Sequence, residues 1–204
     1  MTYDVIAWEK SVAFHGHICP GLAIGFKAAQ AGLKALGVER AEDEELVAIV
    51  ENDTCGVDAI QVLTGCTIGK GNLIYRDYGK QVYTFANRKT NEAVRVAVNP
   101  GLMDARDEEY RQLRVKVFGG TATQEEREKF RVKHREAAQW LLELPDEQFC
   151  QWKPIDFQLP VKAIIFPSII CEECGEAAME PRIRIRNGKK VCLECAGEDY
   201  SRGW

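Results

Sequence analysis

Cys171-Glu172-Glu173-Cys174 and Cys192-Leu193-Glu194-Cys195, with 17 residues between the two pairs, decide how this chain is divided. Two thiolates two residues apart can bind one metal ion from a tight backbone knuckle, and a second such pair completes a tetrahedron of four sulfurs. The separation falls within the spacing of four-cysteine zinc sites. Gly175 follows the first pair, where the backbone must turn sharply. Between the pairs, Arg182 to Val191 reads as a hairpin, because Asn187-Gly188 is a strong two-residue turn signal. A short helix ending near Gly203 is expected after Cys195. Knuckle, hairpin and knuckle at a helix start describe a treble-clef-like zinc finger. About 34 residues cannot build an adequate core alone, so bound zinc must supply much of the folding free energy.

The finger carries Arg182, Arg184 and Arg186 at alternating positions, on one face of the expected strand, with Lys189 and Lys190 beside them. From Cys171 to the end, however, six Lys or Arg stand against seven Asp or Glu. A solvated face or a contact with an acidic partner therefore competes with nucleic-acid binding, which the balanced charge disfavours.

The whole chain points the same way. Its 204 residues carry a net charge of -4 and a sequence pI of about 5.6, which excludes a surface devoted to nucleic acid. The longest stretch without Asp, Glu, Lys or Arg, Ser11 to Phe26, is interrupted by His, Gly and Pro and is too short to span a membrane. Asp4, Glu9 and Lys10 break any early apolar core of a signal peptide. A cytoplasmic location is the expectation. There, eight cysteines are reduced and read as metal ligands or reactive thiols before disulfides.

Upstream of the finger, helices and strands mix without strict alternation. Asp4 to Val12 is an expected helix, and another begins at Pro20, with Leu22, Phe26, Leu33 and Leu36 at helical spacing and Gly37 as its stop. Leu46–Val50, Leu73–Tyr75, Val82–Ala86 and Val94–Val98 read as strands, with a turn over Lys89–Glu92. Val57–Thr64 and Asp107–Phe118 read as helices, and Thr123-Gln124-Glu125-Glu126 is a capping box opening a helix to about Leu144. Pro145 to Pro167 is a connecting stretch with a fifth strand expected within Val161–Phe166. The fold class is α+β, a mixed sheet flanked by helices over residues 1–167, followed by the zinc finger over 168–204.

The chemistry concentrates in three stretches. In Phe14-His15-Gly16-His17-Ile18-Cys19-Pro20-Gly21, an extended backbone would turn His15, His17 and Cys19 to one side, and imidazole with thiolate suits zinc or another transition metal. Cys19 precedes a helix start, where amides favour a thiolate. In Glu51-Asn52-Asp53-Thr54-Cys55-Gly56-Val57-Asp58, Cys55 again lies between a strand and a helix. Thr64-Gly65-Cys66-Thr67-Ile68-Gly69-Lys70-Gly71-Asn72 resembles a phosphate loop but is one residue short, and Gly71 replaces the magnesium-binding Ser or Thr. An anion nest of backbone amides remains open there. Cys66 reads equally well as a small buried hydrophobe. His134, in register with Phe130, Ala137 and Leu141, reads as a structural histidine, and Cys150 as inert packing.

These three stretches, with Tyr78-Gly79-Lys80 and the Val82–Arg95 hairpin, resemble the FmdE family of formylmethanofuran dehydrogenase proteins, in members with a C-terminal cysteine finger. The resemblance implies a thioredoxin-like core and a metal-bearing site. That site is built from His15 or His17, Cys19 and Cys55, with Cys66, Asp58 and Lys70 nearby. Its metal ligands are drawn from His15, His17, Cys19, Cys55 and Cys66, and Cys19, Cys55, Asp58 and Lys70 are the catalytic candidates. It also implies association with a molybdenum- or tungsten-dependent formylmethanofuran dehydrogenase, an oxidoreductase of methanogenesis. Three functions follow as expectations: an accessory protein of such an oxidoreductase, a stand-alone metalloenzyme with Asp53 or Asp58 as base, and a nucleic-acid-binding metal or redox sensor. A symmetric homodimer is the expected assembly.

Overall fold

A computed structural model describes residues 3–104 and 106–198, which divide into one compact unit reaching to Lys162 and a second beginning at Ala163. The first unit opens with α1 (Val5–His15) and α2 (Pro20–Leu36). It continues through β1 (Leu46–Val50), α3 (Gly56–Thr64), β2 (Leu73–Tyr75), β3 (Val82–Asn87) and β4 (Glu92–Val98). The helices α4 (Glu108–Phe118), α5 (Gln124–Glu143) and α6 (Asp146–Phe149) follow, and β5 (Cys150–Ile155) completes it.

The five strands form one sheet in the order β2-β1-β3-β4-β5. β1 and β2 are parallel, joined through α3, and the other pairings are antiparallel. The sheet is therefore mixed and flanked by helices, and a parallel β-α-β unit followed by an antiparallel hairpin fits the thioredoxin-like core that the sequence resembles.

Alternation along the strands separates two cores. Leu46, Ala48 and Val50 of β1 share the main core with Tyr83 and Phe85 of β3, Val94 and Val96 of β4, and Leu22 and Phe26 of α2. Val47 and Ile49 point to the opposite face, where Ala86 and Ala93 join them under Phe157 and Leu159. The central helix α2 is buried along most of its length. Its Lys27 is only 4% exposed, and the ammonium donates to the Leu142 and Leu144 carbonyls at the end of α5. It thereby satisfies acceptors that the last turn of a helix leaves open.

Several local expectations hold. The capping box of α5 is formed reciprocally by Thr123 and Glu126. Pro20 occupies the first turn of α2 and Gly37 ends it in the left-handed conformation. Two differ. The first helix continues past Val12 to His15, because Gly16, at φ 92°, caps it and its N–H bonds to the Val12 carbonyl. The fifth strand of the sheet is Cys150–Ile155, whereas Val161–Phe166 forms no strand. Pro154 obscured β5 in the sequence, yet an edge strand tolerates proline on its unpaired side.

The second unit contains two hairpins. β6 (Ser168–Ile170) pairs with β7 (Ala177–Met179), and the Cys171–Cys174 knuckle forms their turn. β8 (Ile183–Arg186) pairs with β9 (Lys189–Cys192). Asn187 and Gly188 both have positive φ, 51° and 79°, as the expected Asn-Gly turn requires. Arg182 belongs to a short 3-10 turn before β8, so it does not share the strand with Arg184 and Arg186. The helix expected to end near Gly203 falls mostly outside the described residues.

Candidate metal centres

Each side chain of the first cluster is positioned by a helix end. His15 stands in the last turn of α1. Cys19 is the N-cap of α2, its sulfur accepting the Leu22 amide at 3.4 Å. Cys55 caps α3 from the loop after β1. These three elements converge because two helices meet through glycine. A Cβ on Gly25 of α2 would lie 2.0 Å from the Gly56 carbonyl oxygen, and one on Gly21 would lie 3.1 Å from Cys55 Cβ. Only hydrogen at these positions lets the start of α3 lie against α2.

His15, Cys19 and Cys55 consequently bring one ligand atom each within 4.8 Å of one another. His15 Nε2 is 3.7 Å from Cys19 Sγ. Zinc bonds of about 2.0 Å to nitrogen and 2.3 Å to sulfur at a tetrahedral angle require about 3.6 Å between those atoms, so the pair fits a tetrahedral edge. The other ring nitrogen, Nδ1, hydrogen-bonds Asp58 Oδ2 at 2.7 Å. A carboxylate on one nitrogen of an imidazole fixes its orientation and leaves the other nitrogen's lone pair free for a cation. Asp58 sits one turn beyond Cys55, so α3 supplies both a sulfur and the group that aims the histidine. Three donors leave one corner of a tetrahedron open, the pattern of sites that do chemistry.

Burial dominates the electrostatics. The Cys19 thiol is pushed up to about 11, chiefly by desolvation and further by the neighbouring Cys55, while the Leu22 amide pulls the other way. The expectation that helix amides alone would make Cys19 a thiolate is thus corrected: a buried sulfur pair needs a cation to hold its charge. His134 is pushed down to about 4, by burial first and then by His17 and Arg114. Its ring shares a 2.9 Å hydrogen bond with the buried Tyr110 hydroxyl and packs on Phe130, as a structural histidine should. The influence of His17 places this pair within electrostatic reach of the first cluster.

Other candidates lie elsewhere. His17 is exposed and stacks near His15, with ring centroids 4.4 Å apart, but does not join the three donors. The extended segment expected to align His15, His17 and Cys19 is replaced by a helix end and a turn. Asp53 is exposed in the loop before Cys55. Cys66 and Lys70 are at the far end of the fold. Cys55 follows the C-terminal end of β1, while Lys70 donates to the Glu42 and Asp43 carbonyls that precede β1. Cys66 is buried beyond the C-terminus of α3, a nine-residue helix about 13 Å long at 1.5 Å per residue. Its thiol is raised by burial. The loop that might have cradled an anion turns its amides inward: Thr67 donates to Asn72, Lys70 to Thr67 and Gly71 to Ile68. Composition and spacing give no special weight to Gly21, Gly25 and Gly56, although two glycines four apart on a buried helix are a signal of close approach.

The second cluster joins Cys171, Cys174, Cys192 and Cys195, again within 4.8 Å of one another. Cys174 and Cys192 sulfurs are 4.0 Å apart, close to the edge of about 3.8 Å in a tetrahedral zinc–sulfur site. Amides of Cys174 and Cys192 hold the Cys171 thiol down to about 6, while the neighbouring sulfurs, Cys192 first, push Cys195 up. Four donors close the shell, which suits a structural ion. The arginines support this unit internally. Arg184 grips Glu198 with two bonds, and Arg186 donates to the Cys195 carbonyl at 3.0 Å.

Comparison with known proteins agrees with this geometry. A family model described as "FmdE, Molybdenum formylmethanofuran dehydrogenase operon" matches residues 14–151, and one described as "Prokaryotic dksA/traR C4-type zinc finger" matches residues 164–200. The chain is 38% identical, over 198 residues and 94% of its length, to a protein of Archaeoglobus fulgidus named "Probable S-adenosyl-L-methionine-binding protein". It spans only 53% of that relative. A crystal structure of an FmdE-like protein of tungsten formylmethanofuran dehydrogenase, from Syntrophus aciditrophicus, superposes with a TM-score of 0.59 at 27% identity. That alignment covers 95% of this chain and 92% of the other. No helix among the described residues is long and apolar enough to cross a membrane.

Proposed function

The chain belongs to the FmdE family and carries a C-terminal four-cysteine zinc finger, and on that premise we propose that it is a metal-binding accessory protein of a molybdenum- or tungsten-dependent oxidoreductase. One observation carries the metal-binding part: His15, Cys19 and Cys55 converge while Asp58 occupies the other nitrogen of the histidine. In this reading His15, Cys19 and Cys55 hold zinc or a similar transition metal, which would supply Lewis acidity at the open corner. Asp58 keeps the imidazole in its coordinating orientation. Cys171, Cys174, Cys192 and Cys195 hold a structural zinc, and residues 168–204 fold around it. The protein acts in the cytoplasm as a homodimer beside its oxidoreductase.

The full-length protein purified without chelator should contain two equivalents of metal per chain, and Cys19→Ser should contain one. A wild-type value of one, held by the finger, would sink the N-terminal site. Affinity purification from an anaerobic host tests the association. Repeated recovery without a molybdenum or tungsten enzyme would count against it.

A second reading takes its support from the open fourth position and from the name of the Archaeoglobus fulgidus relative. The chain would then work alone on a small molecule at the first cluster, with S-adenosyl-L-methionine as the ligand to try. Calorimetric titration of that compound into the metal-loaded protein decides it. Absence of heat with wild type, or equal heat with Cys19→Ser, would remove this reading. The nucleic-acid sensor loses support, because Arg184 and Arg186 are engaged within the finger.

A further inference from the structure

The loop that delivers Cys55 is held by one buried side chain. Asn52 is only 4% exposed, and both ends of its amide are used. Its Oδ1 accepts from the Thr54 amide at 3.2 Å and from the Thr54 hydroxyl at 2.8 Å. Its Nδ2 donates to the Lys80 carbonyl at 2.6 Å and reaches the Tyr83 hydroxyl at 3.5 Å. Tyr83 is itself fully buried and donates to Gln81 at 2.7 Å, so its oxygen is oriented to accept. The clamp therefore ties the loop after β1 to the segment that leads into β3.

What the clamp holds is the start of α3. The Thr54 carbonyl accepts the Val57 amide at 3.0 Å, and the Cys55 carbonyl accepts the Asp58 amide at 3.2 Å. Cys55 has no side-chain cap bond of its own at this helix start. Its direction is set by the turn that Asn52 and Thr54 close. Asp58, which orients His15, is fixed by the same turn.

We propose that Asn52 is the positioning residue of the first metal cluster, aiming Cys55 at Cys19 and Asp58 at His15 through its double bond to Thr54. The proposal rests on the reading of His15, Cys19 and Cys55 as a metal site. Side chains behind metal ligands are typically worth about 10- to 100-fold in affinity. A local clamp of this kind acts on the cluster and leaves the finger alone.

The test uses the full-length chain with its finger loaded with zinc. Cobalt(II) is titrated as the probe, and the thiolate-to-cobalt absorption band reports Cys19 and Cys55 as ligands. Asn52→Ala should weaken cobalt binding about 10- to 100-fold and alter the band. Thr54→Val, which removes only the hydroxyl bond, should show a smaller loss with the same sign. Circular dichroism and melting check folding. If Asn52→Ala fails to fold, Thr54→Val decides. Capture of a trivalent arsenical by the metal-free cluster, with Cys19→Ser as baseline, reads sulfur proximity without the native metal. Wild type that captures arsenical but binds no cobalt overturns the metal reading, while slower capture by the variants would still uphold the positioning role. Folded variants that match wild type in both measurements overturn the proposal.

Discussion

Replacing Gly25 by alanine tests whether the approach of α2 to α3 builds the first cluster. The added Cβ would lie 2.0 Å from the Gly56 carbonyl oxygen and 2.3 Å from its Cα, where real Cβ contacts essentially never fall below 3.0 Å. The obstruction is backbone, so no side chain can rotate away. The helices must separate by roughly 1 Å, which exceeds the tolerance of about 0.2 Å on metal–ligand distances. Overpacking a close contact costs about 1–3 kcal/mol. For a chain of this size, a loss of 1 kcal/mol lowers Tm by roughly 2–4 °C. Gly25→Ala should therefore melt several degrees lower and lose metal at the first cluster while the finger keeps its zinc. Gly69→Ala is the control, since a Cβ there meets nothing within 4 Å. Thermal denaturation and metal analysis on the three proteins give the answer. A Gly25→Ala protein with wild-type Tm and two metals per chain would refute the argument that this glycine contact creates the site.

Asp58→Asn should weaken metal at the first cluster about 10- to 100-fold by releasing His15 Nδ1 from its carboxylate, measured by competition with a coloured chelator; unchanged affinity would contradict the orienting role. Lys27→Met should destabilise the first unit by about 1–3 kcal/mol, because the Leu142 and Leu144 carbonyls lose their donor, as read from denaturant unfolding. His134 gives a pH signature: burial holds its folded pKa near 4 against an ordinary 6.5, so the unfolded chain binds the extra proton between those values. Stability should then be intact above 6.5 and fall as pH drops towards 4, with a shallower slope in His134→Gln; equal slopes would show that this histidine is not the sensor. Chelation of zinc should expose the amides of Ile183–Arg186 and Lys189–Cys192 to hydrogen exchange while β1 and β3 stay protected, and joint loss of protection would show that the first unit depends on the finger's metal.

How much of this was legible beforehand depends on how far apart the interacting residues lie. The capping box at Thr123 and Glu126, Cys19 as the cap of α2 and the Asn187-Gly188 turn each involve residues a few positions apart, so backbone sterics and nearby amides settle them. The two cysteine pairs are also local knuckles, and a tetrahedral ion dictates their union. The order of residues alone therefore settles the finger's ligands and the helix ends that bear Cys19 and Cys55. Gly16 reads there as a disruption, although it in fact ends α1 and leaves His15 on the helix. Which candidates meet is a matter of packing in three dimensions. His15, rather than His17, joins Cys19 and Cys55 because α1 runs one turn further than its pattern suggests. Cys66 and Lys70 drop out because they lie at the opposite end of β1. The convergence itself depends on a contact between Gly25 and Gly56, 31 positions apart, where the missing side chains matter more than any that are present.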